Sequence, residues 1–163
     1  MDAIEALRTR RSVRVFEKRA VERGLIEAIV DCGRLAASAR NEQPWEFVVV
    51  SDASLRGRIG GATDHGRFIA EAPVCVCVFC EDSKYYLEDG AAATQNMLVA
   101  AHALGLGSCW VAGDKKPYVD SVRSMLGVPE THRLVSMIAL GYAAKVSNPS
   151  KRSLEDVIHW ERY

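Results

Sequence analysis

Charge in excess of either sign is missing: the 163 residues hold 21 Lys and Arg against 21 Asp and Glu. A chain with no net positive field does not point to nucleic acid or another polyanion as its partner. Long apolar runs are missing too. No uninterrupted stretch approaches the roughly 20 residues a membrane helix needs. The opening Met1, Asp2, Ala3, Ile4, Glu5 lacks the basic region and apolar stretch of a secretory signal. The expectation is a cytoplasmic protein with neither membrane nor nucleic acid among its partners. The five cysteines (Cys32, Cys75, Cys77, Cys80, Cys109) are odd in number, so free thiols are expected rather than a disulfide framework. Linkers, repeats and low-complexity segments are absent, which predicts one domain over residues 1–163. That length suffices to bury roughly 70% of the unfolded surface.

Several chemistries lack their constellation. His65, His102, His132 and His159 are scattered, and none joins a Ser or Cys and an acid in a nucleophile motif. Gly105-Leu106-Gly107 follows a helical segment and precedes a strand. The dinucleotide fingerprint runs the other way and has a further glycine where Trp110 stands. Cys75, Cys77 and Cys80 sit on an apolar run predicted to be a strand. Alternation there puts Cys75 and Cys77 on one face and Cys80 on the other. Structural zinc needs four ligands, so core packing is the expectation and no metal site is assigned.

Helix and strand signals are plentiful. Leu25, Ile26, Ile29, Val30 and Leu35 recur at helical spacing over residues 20–37. Residues 56–66 start helical and loosen at glycines. Residues 89–104, rich in alanine and closed by Gly105, form a strong helix whose small residues suit close packing on another helix. Pro117 suits the first position of a short helix running to Leu126. Strands are predicted over 47–50, 74–79, 108–111 and 134–140, the second buried on both faces. The tail from Asn148 is polar with late Leu154, Val157, Ile158 and Trp160, a set that needs something to pack on, such as a second subunit. Strands interspersed with helices indicate an α/β or α+β sandwich.

Two local features carry chemistry. Arg10-Arg11-Ser12-Val13-Arg14 puts three guanidiniums and a hydroxyl within five residues. Arginine presents a rigid fork of donors matched to phosphate oxygens, so a local anion site stands against a solvated surface turn. Asn41-Glu42-Gln43-Pro44-Trp45 brings a polar run to a Pro-Trp step before a strand. It reads either as a turn with Trp45 packed on the core, or as a loop whose amides bond the edge of a planar heterocycle.

Taken in order, these pieces resemble the nitroreductase family of flavin enzymes along essentially the whole chain. Residues 10–14 resemble its N-terminal flavin motif and residues 37–45 its second signature. Residues 89–110, with Gln95-Asn96-Met97 and Gly105-Leu106-Gly107-Ser108-Cys109-Trp110, resemble its core helix and following strand. Residues 126–130, Gly141-Tyr142 and residues 151–157 match later segments. The resemblance implies an α+β sandwich, with a central mixed sheet flanked by helices, in an intertwined homodimer with FMN at the interface. It places Arg10 and Ser12 at the flavin phosphate and ribityl side, with Arg11 in the same motif. Lys151 and Arg152 would close on that phosphate, and Arg14 would lie near the N1–O2 edge of the ring. Ser38, Asn41 and Gln43 belong to the loop that reaches the ring from the partner, and Trp110, Val111, Ala112 and Gly113 would run along the flavin near N5. It further implies a ping-pong cycle: NADH or NADPH reduces the flavin, and a small electrophile such as a nitroaromatic or quinone reoxidises it. No protein side chain need act as catalytic acid, because the chemistry is the flavin's.

The chain departs from this pattern in three places. Only residues 81–88 separate Cys80 from Asp89, where many relatives carry a longer covering insertion. An open flavin site is expected, with Tyr85 or Tyr86 as the remnant of a lid. In the loop before the strand at 74–79, Arg67 is the candidate polar group for the ring. Lys151 stands where an arginine is commoner, which makes phosphate binding there less bidentate. Alternative readings are a specialised flavin reaction such as reductive dehalogenation on the same fold, a flavin-binding sensor with little turnover, and a thiol-based metal protein resting on Cys75, Cys77 and Cys80.

Overall fold

The apolar run after Pro73 becomes β3 (Val74–Glu81), the middle of the molecule, with every residue but Glu81 buried. The computed structural model describes residues 1–163. β3 is flanked by β2 (Trp45–Val50) and β5 (His132–Gly141), and β4 (Gly107–Ala112) pairs with β5 at the far edge. The sheet order is β2-β3-β5-β4 and every pairing of these strands is antiparallel. The mixed character expected of the sheet is confined to one parallel bridge, between Ser12 and Ser108. A short antiparallel pair, β1 (Val15–Phe16) with β6 (Ala143–Lys145), stands beside it.

Period-2 alternation along β3 feeds two cores. Val74, Val76, Val78 and Cys80 join one apolar cluster, while Cys75, Cys77 and Phe79 join the other. The first is closed by α2 (Arg23–Arg34) and α4 (Tyr86–Ala103), the second by α3 (Ala53–Ala62) and α5 (Val119–Leu126). Helices on both faces make this an α+β sandwich, and they are why the strand has no polar face. Cys80 thus faces away from Cys75 and Cys77, whose sulfurs lie 3.9 Å apart. Burial pushes the Cys80 thiol up to about 12, so it is an inert core group.

Close packing rests on small residues, as the alanine-rich segment suggested. A Cβ on Gly33 of α2 would meet Met97 Cγ of α4 at 2.7 Å, and one on Gly90 would meet Val135 Cγ2 of β5 at 2.6 Å. Both ends of α4 are legible in outline: it begins at Tyr86, three residues before the predicted start, and Gly105 follows it at φ +81°. α3 also starts earlier than its glycine-rich composition indicates, because the Asp52 carboxylate accepts from Leu55 N–H at 2.7 Å and caps it. α5 begins at Val119 rather than at Pro117, since Tyr118 serves as its N-cap. It stops at Gly127, which is left-handed at φ +67°. α1 (Ala3–Thr9) precedes the arginine cluster. No helix is long and apolar enough to cross a membrane.

Residues 146–163 lie exposed throughout, with only a turn at Leu154. Leu154 is 70% and Trp160 76% exposed, so the late apolar set covers nothing on its own chain.

Candidate functional site

α1 ends at Arg10, whose N–H closes on the Ala6 carbonyl. The chain then runs extended beside β4. Ser12 bridges Ser108, and Val13 N–H donates to the Ser108 carbonyl at 2.9 Å. Val13 is buried against Gly107, where a Cβ would meet its side chain at 2.7 Å. This anchorage lays the arginine cluster on the sheet edge. Arg10, Ser12 and Arg14 all act on the Cys109 thiol of β4. Burial pushes that thiol up, while Arg14, a Ser12 hydrogen bond and Arg10 pull it down. None of the ion pairs of the molecule involves Arg10 or Arg14. Beneath them Ser108 Oγ is buried without a hydrogen-bond partner.

Arg11 behaves differently. It donates through Nε to Asn148 Oδ1 at 2.6 Å and through Nη1 to the carbonyls of Arg8 and Arg10 at 2.9 and 3.0 Å. Its fork is engaged in tying the end of α1 to the start of the tail.

Next to the cluster opens a cleft of about 240 Å³. Its inner wall is the end of β4, Cys109 through Ala112, with Val111 buried and Trp110 half-buried. Arg14 and Phe68 stand opposite each other at its side, the guanidinium 5.9 Å from the ring centroid, within cation–π range. Asp64, His65, Lys116 and Tyr118 complete the lining. Two cations, Arg14 and Lys116, against the single carboxylate of Asp64, with three aromatic side chains, suit an anionic ligand that carries a ring.

Of the residues singled out from the sequence, Arg14, Trp110, Val111 and Ala112 line this cleft; Ser12 is bridged to Ser108 beside it, and Arg10 lines an adjoining hollow with Arg11, Val13 and Ser108. Gly113 follows directly. A Cβ there would come within 2.7 Å of Leu134 Cγ, so its backbone lies flush on β5. Arg67 is exposed and outside the lining. The 3-10 turn Arg67–Ile69 sends Ile69 to the core and Phe68 to the cleft instead, leaving Arg67 in solvent. Sequence reasoning missed Asp64, His65, Phe68, Cys109, Lys116 and Tyr118. Phe68, a large aromatic one residue from Arg67, was the findable one.

Ser38, Asn41 and Gln43 are held elsewhere. Their loop precedes β2, the sheet edge opposite β4, three inter-strand steps or roughly 14 Å away. Ser38 Oγ accepts from Gln43 N–H at 3.0 Å, and Asp89 Oδ1 accepts from Ala39 N–H at 2.9 Å. Arg40, Asn41 and Gln43 are left-handed, at φ 53°, 59° and 50°, a conformation uncommon for such residues. The loop is therefore built to one shape with Asn41 and Gln43 exposed. Trp45 beside it is buried core. Lys151 and Arg152 lie on the exposed tail, where Arg152 bonds the Asp156 carbonyl. Neither group meets the cleft of its own chain.

Tyr86 is no free-standing lid. Its hydroxyl donates to Asp114 Oδ1 at 2.5 Å, and that bond together with burial pushes the phenol up to about 12. The neighbouring Asp82 pairs with Arg133 at 2.6 Å. The short 81–88 segment is thus fastened to the loop after β4.

Comparisons with known proteins agree along the chain. The model of the nitroreductase family matches residues 7–72 and 65–142. A provisionally named NADH dehydrogenase/NAD(P)H nitroreductase of Methanothermobacter thermautotrophicus is 36% identical, over 100% of this chain and 88% of that protein. The crystal structure of a protein of the same provisional name from Parabacteroides distasonis superposes with a TM-score of 0.94 at 28% identity, covering 99% of this chain and 98% of the other. A provisionally assigned nitroreductase from Desulfovibrio desulfuricans, solved in complex with FMN, superposes at 0.86 with 28% identity, covering 100% and 98%.

Proposed function

The chain belongs to the nitroreductase family, and on that premise we propose that it is an FMN-containing oxidoreductase that uses NADH or NADPH to reduce a small planar electrophile, a nitroaromatic or a quinone. The observation that carries the reading is Arg14, free of any ion pair, lining one cleft with Phe68 and Trp110, next to Ser12 bridged onto β4 at Ser108.

The residues present fit FMN. A phosphate dianion needs fixed donors, and Arg10 and Ser12 offer a guanidinium without a carboxylate partner beside a hydroxyl. A flat ring needs apolar walls, which Phe68, Trp110 and Val111 supply. Arg14 would hold the ring where reduction places negative charge, an exposed cation lining the cleft with no carboxylate partner. Residues 110–113 would present backbone groups to it. Bound there, the flavin would supply the redox chemistry, accepting electrons from the nicotinamide nucleotide and passing them to an acceptor that enters after it leaves, a ping-pong cycle. The protein's part is binding, orientation and charge. His65 lines the cleft, but no side chain is required as proton donor.

The Ser38, Asn41 and Gln43 loop and the Lys151-Arg152 segment complete the site in a homodimer. Both present polar groups outward, and neither reaches the cleft of its own chain. The exposed Leu154, Val157, Ile158 and Trp160 of the tail are the apolar surface such an embrace would bury.

Anaerobic stopped-flow tests the reading. Protein with bound FMN is mixed with NADH or NADPH, then with a panel of nitroaromatics, quinones and a halophenol. Bleaching by a nucleotide and return of colour with an acceptor is the expected result. Protein that takes up no FMN, or whose flavin neither nucleotide bleaches, sinks it.

A further inference from the structure

The end of β4 and the loop that follows are held from two sides by phenol hydroxyls. From one side Tyr118, the N-cap of α5, donates its hydroxyl to the Ala112 carbonyl at 2.5 Å. From the other, Tyr86 at the start of α4 donates to the Asp114 carboxylate at 2.5 Å. Between them Gly113 N–H bonds the Val135 carbonyl of β5 at 3.0 Å, and Lys116 N–H closes a turn on the Gly113 carbonyl at 3.2 Å. Lys115 is left-handed at φ 56°, an uncommon conformation for a lysine, so the loop turns sharply between Asp114 and Lys116. The Asp114 side chain is only 16% exposed, and its acceptor role is charge-assisted. Asp114 has one further partner, the exposed Lys115 Nζ at 3.9 Å, a long contact that adds little hold.

We propose that Tyr86 and Tyr118 are positioning residues that clamp residues 112–114 from opposite sides and thereby set the contact of this backbone with the ring of the bound flavin. The flavin half of the statement rests on the function proposed above. The clamp itself rests on the bonds just described. It also accounts for the short 81–88 segment. Tyr86, at the end of that segment, ties it to Asp114 in the loop after β4. The two bonds act on different groups, a main-chain carbonyl and a side-chain carboxylate, so losing either leaves the other half of the hold in place.

Amide hydrogen exchange on the full-length protein as purified reads the hold directly. Tyr86→Phe and Tyr118→Phe each remove one hydroxyl and keep the ring. The amides of Gly113 and Lys116 should exchange about five- to tenfold faster, as the loss of one hydrogen bond predicts, with β3 amides unchanged. Asp114→Ala should match Tyr86→Phe, whereas Asp114→Asn keeps an acceptor oxygen without its charge and should fall between the parent and Asp114→Ala. In protein loaded with FMN, both phenylalanine variants should shift the flavin absorption bands and midpoint potential while retaining the flavin. Unchanged exchange at Gly113 and Lys116, even with a lowered Tm, overturns the clamp. A loosened loop with unaltered flavin spectrum and potential overturns its link to the ring. If Tyr118→Phe fails to fold, the Tyr86 and Asp114 variants decide the matter. A parent protein that binds no FMN overturns the functional reading and leaves the exchange result standing.

Discussion

Arg14→Ala separates binding from chemistry within one motif. Arg14 is exposed, outside every ion pair, and 5.9 Å from the Phe68 centroid. Its contribution to folding is therefore small, about 0.5–1 kcal/mol from the exposed cation–π contact. Its effect on an anionic ring is larger. Two unit charges about 4 Å apart at an effective dielectric near 20 interact by ~4 kcal/mol. Solvent beside an exposed guanidinium removes most of that, leaving ~1–2 kcal/mol, or roughly a tenfold change in the ease of flavin reduction. Arg10 is half-buried at the end of α1. A charge-assisted bond to a phosphate is worth ~1.5–3 kcal/mol, so Arg10→Ala should weaken FMN binding by about ten- to a hundredfold. Fluorescence titration gives the FMN dissociation constant and anaerobic stopped-flow the reduction rate at saturating FMN. The expected pattern is crossed: Arg10→Ala changes mainly the first quantity and Arg14→Ala mainly the second. Equal effects of both variants on both quantities would refute the division of labour and return the cluster to a single undifferentiated anion site.

Other perturbations test the fold around the site. Gly90→Ala drives a methyl group to within 2.6 Å of Val135 and 2.9 Å of Cys80 Sγ; forcing α4 off the sheet should cost about 1–3 kcal/mol, read as a lowered urea midpoint. Gly24→Ala in α2 has open space and should stabilise by ~0.5–1 kcal/mol in the same assay. The Tyr86 phenol is held neutral up to about 12 by its bond to Asp114. Its folded value lies above the unfolded one, so that contribution is complete below about pH 10 and fades as pH rises towards 12. Urea unfolding from pH 9 to 11.5 should therefore show a steeper loss of stability in the parent than in Tyr86→Phe; parallel curves would contradict the assignment. Removing residues 146–163 should convert a species of twice the 17.9 kDa chain mass into the single chain in sedimentation experiments, and a full-length protein already monomeric would count against the embrace.

Much of the secondary structure is legible because its signals are local. Pro73 followed by seven apolar residues leaves little choice but a strand, and alternation alone separates Cys80 from Cys75 and Cys77. Gly105 announces a helix end that its positive φ bears out. The earlier start of α3 was legible as well, in the Asp52 cap, but glycine-rich composition obscured it. Arg10, Ser12 and Arg14 could be read as an anion site because three of a rare kind of group lie within five residues, and locality is what a sequence displays.

What the sequence by itself determined, then, is the four strands of the main sheet and the four helices that cover it, the two-faced burial of β3 and the chemical character of residues 10–14; α1 and the short β1–β6 pair it did not announce. The tertiary structure alone decided the antiparallel order β2-β3-β5-β4, the choice of Phe68 over Arg67 as the cleft wall, the withdrawal of Arg11 to Asn148, and the turning of Tyr86 from a lid into a fastening for Asp114. The physical reason is distance along the chain. Capping and periodicity act over a few residues, whereas the cleft is assembled from positions 14, 64–68 and 109–118, which meet only because the Ser12–Ser108 bridge and the β4–β5 ladder bring them to one sheet edge.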